Sequence, residues 1–165
     1  MDRIVIATDG ACKGNPGIGG WGAVIIFPNG AKQELCDASE YTTNNIMELS
    51  AAINALEYIT EKSDIDLITD STYLKNGITL WIENWEKNGW RTSSKSPVKN
   101  CDLWKRLTNI VRFHNVNWIW QKAHVGHELN ERADELANIA IKALKEQKKI
   151  TVFLLFVNYL LTITS

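Results

Sequence analysis

Four acidic residues, Asp9, Glu48, Asp70 and Asp134, stand where an α/β chain tends to collect ligands. Asp9 closes one Ile- and Val-rich run and Asp70 follows another. Glu48 and Asp134 fall in the first turns of two helices predicted after Asn45 and Asn130. If the first and fourth strands run parallel and adjacent, two carboxylates reach one sheet edge and the helices can add two more. Four carboxylates with no base between them repel strongly, and cations must neutralise them. Oxygen ligands suit hard ions such as Mg2+ or Mn2+ rather than zinc. The scattered histidines His114, His124 and His127 offer no zinc set. Each acid also has a plainer explanation. Asp70 can cap a short helix, Asn45 and Glu48 have capping-box spacing, Asp134 can complement a helix dipole, and Asp9 can form an Asx-turn before Gly10. Spacing alone does not choose between the two readings.

The elements that must position these acids follow from periodicity. Strands are predicted over Arg3–Asp9, Trp21–Phe27, Lys32–Cys36, Asp64–Thr69 and Asn117–Lys122. The glycine-rich stretch Gly10–Gly20 reads as a turn-rich connection, and Pro28-Asn29-Gly30 as a tight hairpin. Helices are predicted from Thr42–Asn45 to about Thr60, then over Ser71–Asn76, Leu80–Lys87, Asp102–Arg112 and Asn130–Lys148. Arg91–Lys99 reads as polar loop. The order βββαβα…αβα describes a mixed sheet flanked by helices, an α/β fold.

Length and charge narrow the function. The 165 residues suit one domain, and 45% hydrophobic with 22% charged residues excludes a mostly disordered or fibrous chain. The net charge of −1 leaves no uniformly basic coat, so any phosphate-binding surface is local. Cys12, Cys36 and Cys101 form no disulfide or zinc pattern, and the N-terminus lacks a signal-peptide run, so a reducing cytoplasm is expected. Residues 150–165 carry no charge and follow the basic stretch Lys142–Lys149. As a helix they would reach about 24 Å, short of a hydrocarbon core of about 30 Å. The plainer expectation is a tail packed as a strand or helix on the domain formed by residues 1–149, or a sequence that is not adapted at all. The sharper one is a membrane tether, since basic residues beside an apolar run favour anionic lipid.

The wording of several motifs goes further than their pattern. Thr8-Asp9-Gly10-Ala11-Cys12, Gly14-Asn15-Pro16-Gly17 and Gly19-Gly20-Trp21-Gly22 resemble the opening of type 1 ribonuclease H. So do Thr42-Thr43-Asn44-Asn45 with Met47-Glu48-Leu49, and Thr69-Asp70-Ser71 with Tyr73. Trp81, Trp85, Trp90, Pro97-Val98-Lys99-Asn100 and Asp102-Leu103-Trp104 look like the basic protrusion of bacterial members. His124, Gly126-His127 and the run Asn130–Ala137 look like the closing motif. The resemblance covers about Arg3–Leu144 and implies a ribonuclease H-like fold, a five-stranded mixed sheet with its first three strands antiparallel.

It also implies an endoribonuclease that cleaves the RNA strand of RNA–DNA hybrids, leaving 3′-hydroxyl and 5′-phosphate ends. Asp9, Glu48, Asp70 and Asp134 would then hold two Mg2+ ions, with Mn2+ as a substitute. One ion would activate water and the other would steady the leaving oxygen. His124 would assist proton transfer or product release, with His114 and His127 structural. Cys12, Asn15, Asn44, Asn45 and Glu48 would follow the RNA minor groove, reading 2′-hydroxyls. Thr43 and Asn100 would hold a DNA phosphate. Trp81 and Trp85 would face deoxyribose in the DNA channel, with Lys87 and Lys99 adding charge, whereas Trp104, Trp118 and Trp120 read as core. No protein partner is implied, and a monomer is expected.

The resemblance has gaps. Ile46 stands where the family commonly has Arg, and Ala123 where Gly usually precedes the loop histidine. Trp81–Arg106 carries six Lys and Arg against Glu83, Glu86 and Asp102, net +3, leaving −4 for the remainder. Weaker hybrid binding than in more basic relatives is expected. A binding module that has lost activity, a membrane-associated protein and another nuclease of the same fold are the competing readings. All four acids are present, which disfavours the first, and integrase- or resolvase-like nucleases lack the Trp-rich segment.

Overall fold

The structure, a computed structural model, describes residues 2–121 and 128–163. Its chain order is β1 (Ile4–Lys13), β2 (Gly17–Ile26), β3 (Lys32–Thr42), α1 (Asn44–Tyr58), β4 (Asp64–Thr69), α2 (Thr72–Asn76), a π-helical turn (Gly77–Trp81), α3 (Ile82–Lys87), α4 (Cys101–Phe113), β5 (Asn115–Trp120) and α5 (Glu128–Ile163). The sheet order is β3-β2-β1-β4-β5. The first three strands pair antiparallel, and β1, β4 and β5 are parallel. The predicted five-stranded mixed sheet is therefore present.

Three strands run longer than expected, and β3 continues past Cys36 to Thr42. β1 continues past Asp9 to Lys13, and β2 begins at Gly17, so most of the expected turn-rich stretch is a ladder with Gly10, Ala11 and Cys12 facing Trp21, Gly20 and Gly19. Gly14, at φ 75°, still turns the chain, but Gly10 and Gly20 serve helix packing. A Cβ on Gly20 would lie 2.6 Å from the Ala137 carbonyl oxygen of α5. The hairpin at Pro28-Asn29-Gly30 forms as predicted, with Gly30 at φ 85° and its N–H donating to the Phe27 carbonyl at 2.9 Å.

The core lies between the sheet and α1 with α4, centred on Ile6, Ile25, Leu49, Ile53, Leu56, Leu67 and Trp104. Trp104 is fully buried, and a Cβ on Gly77 would meet its ring at 1.9 Å. Only glycine lets the π-helical turn approach the indole. Trp118 and Trp120 stack at 5.2 Å on β5 and are half-buried against the same core. His114 is buried and structural: its Nδ1 accepts from the Ser63 N–H at 3.2 Å, which leaves Nε2 to donate to the Leu56 carbonyl at 3.0 Å. Cys12, Cys36 and Cys101 are free thiols.

On the other face α5 lies across β1, β2 and β3 through Ala133, Leu136, Ala137, Ala140 and Ile141. It does not stop near Lys148 as predicted but runs to Ile163 as one helix. The expectation of a tail packed on the domain fails, because Ile150, Val152, Phe153, Leu154, Leu155 and Phe156 are all exposed. Among the described residues no helix is long and apolar enough to cross a membrane.

Candidate active site

The site is built on the β1–β4 pair. Their parallel register sets Ile4 beside Ile65 and Ala7 beside Ile68, and the same offset continued brings Asp9 level with Asp70. Two glycines bring in the helices. Gly10 follows Asp9, and a Cβ there would stand 2.6 Å from the Glu48 backbone nitrogen, so α1 rests directly on β1. Gly22 pairs with Asp9 across the β1–β2 ladder, and a Cβ there would stand 2.2 Å from the Ala133 carbonyl oxygen, one residue before Asp134. Any larger residue at either glycine would push a helix, and its acid, away from Asp9.

The caps differ from the sequence expectation. Thr43, not Asn45, caps α1, its hydroxyl accepting from the Ile46 N–H at 3.3 Å. Ser71, not Asp70, caps α2, accepting from the Leu74 N–H at 3.1 Å. Glu48 is the fifth residue of α1 and Asp134 the seventh of α5, so both sit in second rather than first turns. They are therefore displaced from the helix ends, where the dipole acts most strongly. Neither the capping-box nor the helix-dipole explanation accounts for them.

Burial and mutual repulsion act on the two inner acids. Burial, then the charge on Asp70, pushes the Asp9 carboxyl up to about 7, with smaller contributions from Asp134 and Glu48. The Gly10 N–H, donating to Asp9 Oδ1 at 2.8 Å, opposes the rise. The Glu48 carboxyl is also raised by burial, against hydrogen bonds from Ser71 and Asn44 and with a further push from Asp70. Its Oε1 accepts from Asn44 Nδ2 at 2.8 Å, and its Oε2 accepts from the Ser71 hydroxyl. Asp70 and Asp134 are exposed, and Asp134 Oδ1 accepts from Asn138 Nδ2 at 3.1 Å.

Asp9 thus feels all three other carboxylates, yet Asp9, Glu48 and Asp134 are each turned toward local donors. Among the described residues no three acidic, histidine or cysteine side chains are gathered closely enough to grip one ion. The acids share a field rather than a closed cage. An all-oxygen donor set that pushes one of its own carboxyls toward neutrality fits a hard divalent cation, which would relieve that repulsion.

Comparison with known proteins decides the family. The RNase H family model matches residues 1–142. The chain is 57% identical over 143 residues to the ribonuclease H of Bartonella bacilliformis, covering 87% of this chain and 92% of that one. It is 56% identical over 137 residues to that of Rhodopseudomonas palustris, covering 83% and 91%. LC9-RNase H1, a type 1 RNase H with the type 2 active-site motif, superposes with a TM-score of 0.76 at 30% identity, covering 86% of this chain and 73% of that one. LC11-RNase H1, solved in complex with an RNA/DNA hybrid, superposes with a TM-score of 0.63 at 27% identity, covering 86% and 99%.

The chain belongs to the ribonuclease H family. It is therefore a nuclease, of type 1.

In this ribonuclease H chain the other candidate residues fall into two groups. Cys12, Asn15, Asn44 and Asn45 surround the β1–α1 junction beside Glu48. The Cys12 thiol donates to the Thr42 carbonyl at 3.3 Å, and Asn15 Oδ1 accepts from the Asn44 N–H at 3.1 Å. Thr43 is half-buried at the same junction. The second group surrounds Tyr73. Asn100 stands at φ 58° and its Nδ2 donates to the Tyr73 hydroxyl at 3.1 Å, which also accepts from Trp104 Nε1 at 3.0 Å. Trp81 and Trp85 are half-buried, 5.6 Å apart, and pack on Trp104. Lys87 and Lys99 are exposed. His124 and Ala123 lie outside the described residues.

Sequence reasoning missed Ser71, Gly10 and Gly22. Ser71 both caps α2 and donates to Glu48, and its position directly after Asp70 was the available signal. Ser71→Ala is expected to lower stability by about 1 kcal/mol through the lost cap. It also removes a hydrogen bond that holds the Glu48 carboxyl down in the metal-free protein, so at limiting Mg2+ the acid limb of the pH–activity profile moves to higher pH. A thermal melt and a pH profile of cleavage check the two effects separately.

Proposed function

We propose that this ribonuclease H cleaves the RNA strand of RNA–DNA hybrids internally, leaving 3′-hydroxyl and 5′-phosphate ends, with Mg2+ as its metal and Mn2+ as a substitute. The observation that carries this reading is the field at Asp9, where Glu48, Asp70 and Asp134 all act on one half-buried carboxyl. Two divalent ions held there would supply a water of lowered pKa and offset charge on the leaving oxygen.

The chain's own residues do the rest. Asp9, at the centre of the field, would hold the ions together with Glu48, Asp70 and Asp134. Glu48 and Asp134 would release their present bonds to Ser71, Asn44 and Asn138 to do so. Cys12, Asn15, Asn44 and Asn45 face the RNA minor groove, where amide groups can both donate to and accept from a 2′-hydroxyl. Thr43 and Asn100 hold a DNA phosphate, and Tyr73 fixes the Asn100 side chain for that contact. Trp81 and Trp85 offer aromatic faces to deoxyribose, beside Lys87 and Lys99. His124 moves a proton or releases product. LC11-RNase H1, the structural relative solved with an RNA/DNA hybrid, supports the substrate assignment. Residues 1–149 form the catalytic unit, acting as a monomer in the cytoplasm, and residues 150–165 are an appendage.

The test is cleavage of an end-labelled RNA–DNA hybrid with Mg2+, beside double-stranded RNA and double-stranded DNA. Cutting confined to the RNA of the hybrid supports the reading. Equal cutting of double-stranded RNA, or no cutting in any metal, contradicts it.

Charge sets how tightly the hybrid is held. Two arginines of the Trp81–Arg106 segment and its surroundings are already engaged, Arg106 with both carboxylate oxygens of Glu57 and Arg112 with Glu86. Hybrid affinity is therefore expected to fall with salt on a log–log slope of about −3 or shallower. A fluorescence-anisotropy titration in Ca2+ measures it, and a slope of about −6 would show phosphate contacts this surface does not offer.

A further inference from the structure

The exposed end of α5 is the largest feature of the molecule that hybrid cleavage does not use. Beyond Leu144 the helix leaves the domain and runs, with no charged residue after Lys149, to Ile163. Val152, Phe153, Leu154, Leu155 and Phe156 are consecutive and each is more than half exposed. At about 100° per residue, five consecutive apolar residues cover every side of a helix. The polar exceptions Thr151, Asn158 and Thr162 fall within one arc of about 40°. Thr151 and Thr162 donate their hydroxyls back to the helix, to the Gln147 and Tyr159 carbonyls, which further masks polarity.

A second feature adjoins the first. Lys142, Lys145, Lys148 and Lys149 lie within an arc of about 120°, on the side of the helix away from that polar stripe. Val152, Phe153, Phe156 and Tyr159 continue the same side. Lys148, Lys149, Val152, Phe153 and Phe156 together line a shallow recess with an apolar floor and a cationic rim. Among the described residues the rim lysines make exposed ion pairs to Glu40 and Glu146, each at 3.5 Å. Pairs of that kind hold a side chain weakly, so both ammonium groups can move to another anion.

A protein partner helix would need one apolar stripe, whereas this helix is apolar on nearly all sides, the pattern of a segment surrounded by hydrocarbon. Its length from Ile150 to Ile163 corresponds to about 21 Å, too short to cross a core of about 30 Å. We propose that Lys142–Ile163 is an anchor for the surface of an anionic membrane. The lysines seat on lipid phosphates, and the helix beyond them lies in the boundary between headgroups and acyl chains of one leaflet, its Thr151–Asn158–Thr162 stripe turned to water. Asp134, sixteen residues before Ile150 on the same helix, stays about 24 Å from the anchor, so the nuclease site remains open to a hybrid.

Flotation of the full chain tests this. Phosphatidylcholine vesicles containing about a third phosphatidylglycerol are expected to carry the protein upward on the order of ten-fold better than pure phosphatidylcholine vesicles. A Phe153→Glu/Phe156→Glu double variant is expected to stay at the bottom with either vesicle while keeping the wild-type circular dichroism and melting temperature, since both side chains are exposed. Failure of the wild type to float, equal flotation on the two vesicles, or flotation of the double variant would each overturn the proposal. So would light scattering that shows a stable dimer abolished by the double substitution in a protein that does not float, which assigns the face to a second copy. Each readout is independent of nuclease activity.

Discussion

Asp9→Asn is expected to lower hybrid cleavage on the order of a thousand-fold and, at the same time, to make the metal-free protein more stable at pH 8. The two effects have one cause. The Asp9 carboxyl ordinarily titrates near 3.8 and is pushed to about 7 in the fold by burial and by Asp70, Asp134 and Glu48. Its protonated form is the one the fold favours. The associated stability is fully present below about pH 4 and is lost as pH rises through about 7. Asparagine keeps the shape and the acceptor for the Gly10 N–H but carries no charge at any pH. The variant therefore escapes the loss, which is at most about 4 kcal/mol and smaller to the extent that water screens the half-buried group. Thermal melts of both proteins in EDTA at pH 5 and pH 8 check this: the curves approach each other at pH 5 and separate at pH 8. A variant less stable than the wild type at pH 8 would mean that Asp9 is not repelled by its neighbours.

Gly22→Ala is expected to be the single-methyl change in the sheet that most directly displaces an acid. The new Cβ would sit 2.2 Å from the Ala133 carbonyl oxygen and 2.7 Å from Leu136 Cβ, both on α5. Backbone cannot yield as a flexible side chain can, so α5 must shift outward and take Asp134 with it. Overpacking of this kind costs about 1–3 kcal/mol, and the displaced acid lowers cleavage as well. The activity loss should therefore exceed what the unfolded fraction explains at a temperature where the variant is folded. Cleavage assayed well below the melting temperature separates the two. Gly30→Ala is a useful contrast: its Cβ meets nothing within 4 Å, so only its positive φ adds strain, and the hairpin lies away from the acids.

The glycines also show what the sequence could and could not convey. Strand type, helix periodicity and the hairpin were legible because each depends on local patterning. In sequence Gly10, Gly19 and Gly20 look like turn punctuation, since a glycine required for close helix contact looks the same as one required for positive φ. The result was a first strand ended at Asp9 rather than Lys13. The shift of the cap from Asn45 to Thr43 and from Asp70 to Ser71 has a similar origin, since neighbouring polar residues compete for one role and geometry selects between them. The end of α5 was hidden because the change from an amphipathic pattern to a wholly apolar one looks like the end of a helix.

At the acids, the matched positions were legible but the side-chain directions were not. Parallel pairing of β1 with β4 delivers Asp9 and Asp70 together, as the sequence argument required. Glu48 and Asp134 arrive through contacts between backbone and glycine that no spacing rule predicts. Once there, they take Ser71, Asn44 and Asn138 as partners, because a carboxylate beside other carboxylates accepts whatever donors lie nearest.

Calorimetric titration of the full chain with Mg2+ near pH 8 tests most directly whether these acids act as one cation site. The wild type is expected to bind, and Asp9→Asn to bind at least about ten-fold more weakly, because its substitution removes the carboxylate on which the other three act. Equal Mg2+ binding by the two proteins would contradict the account.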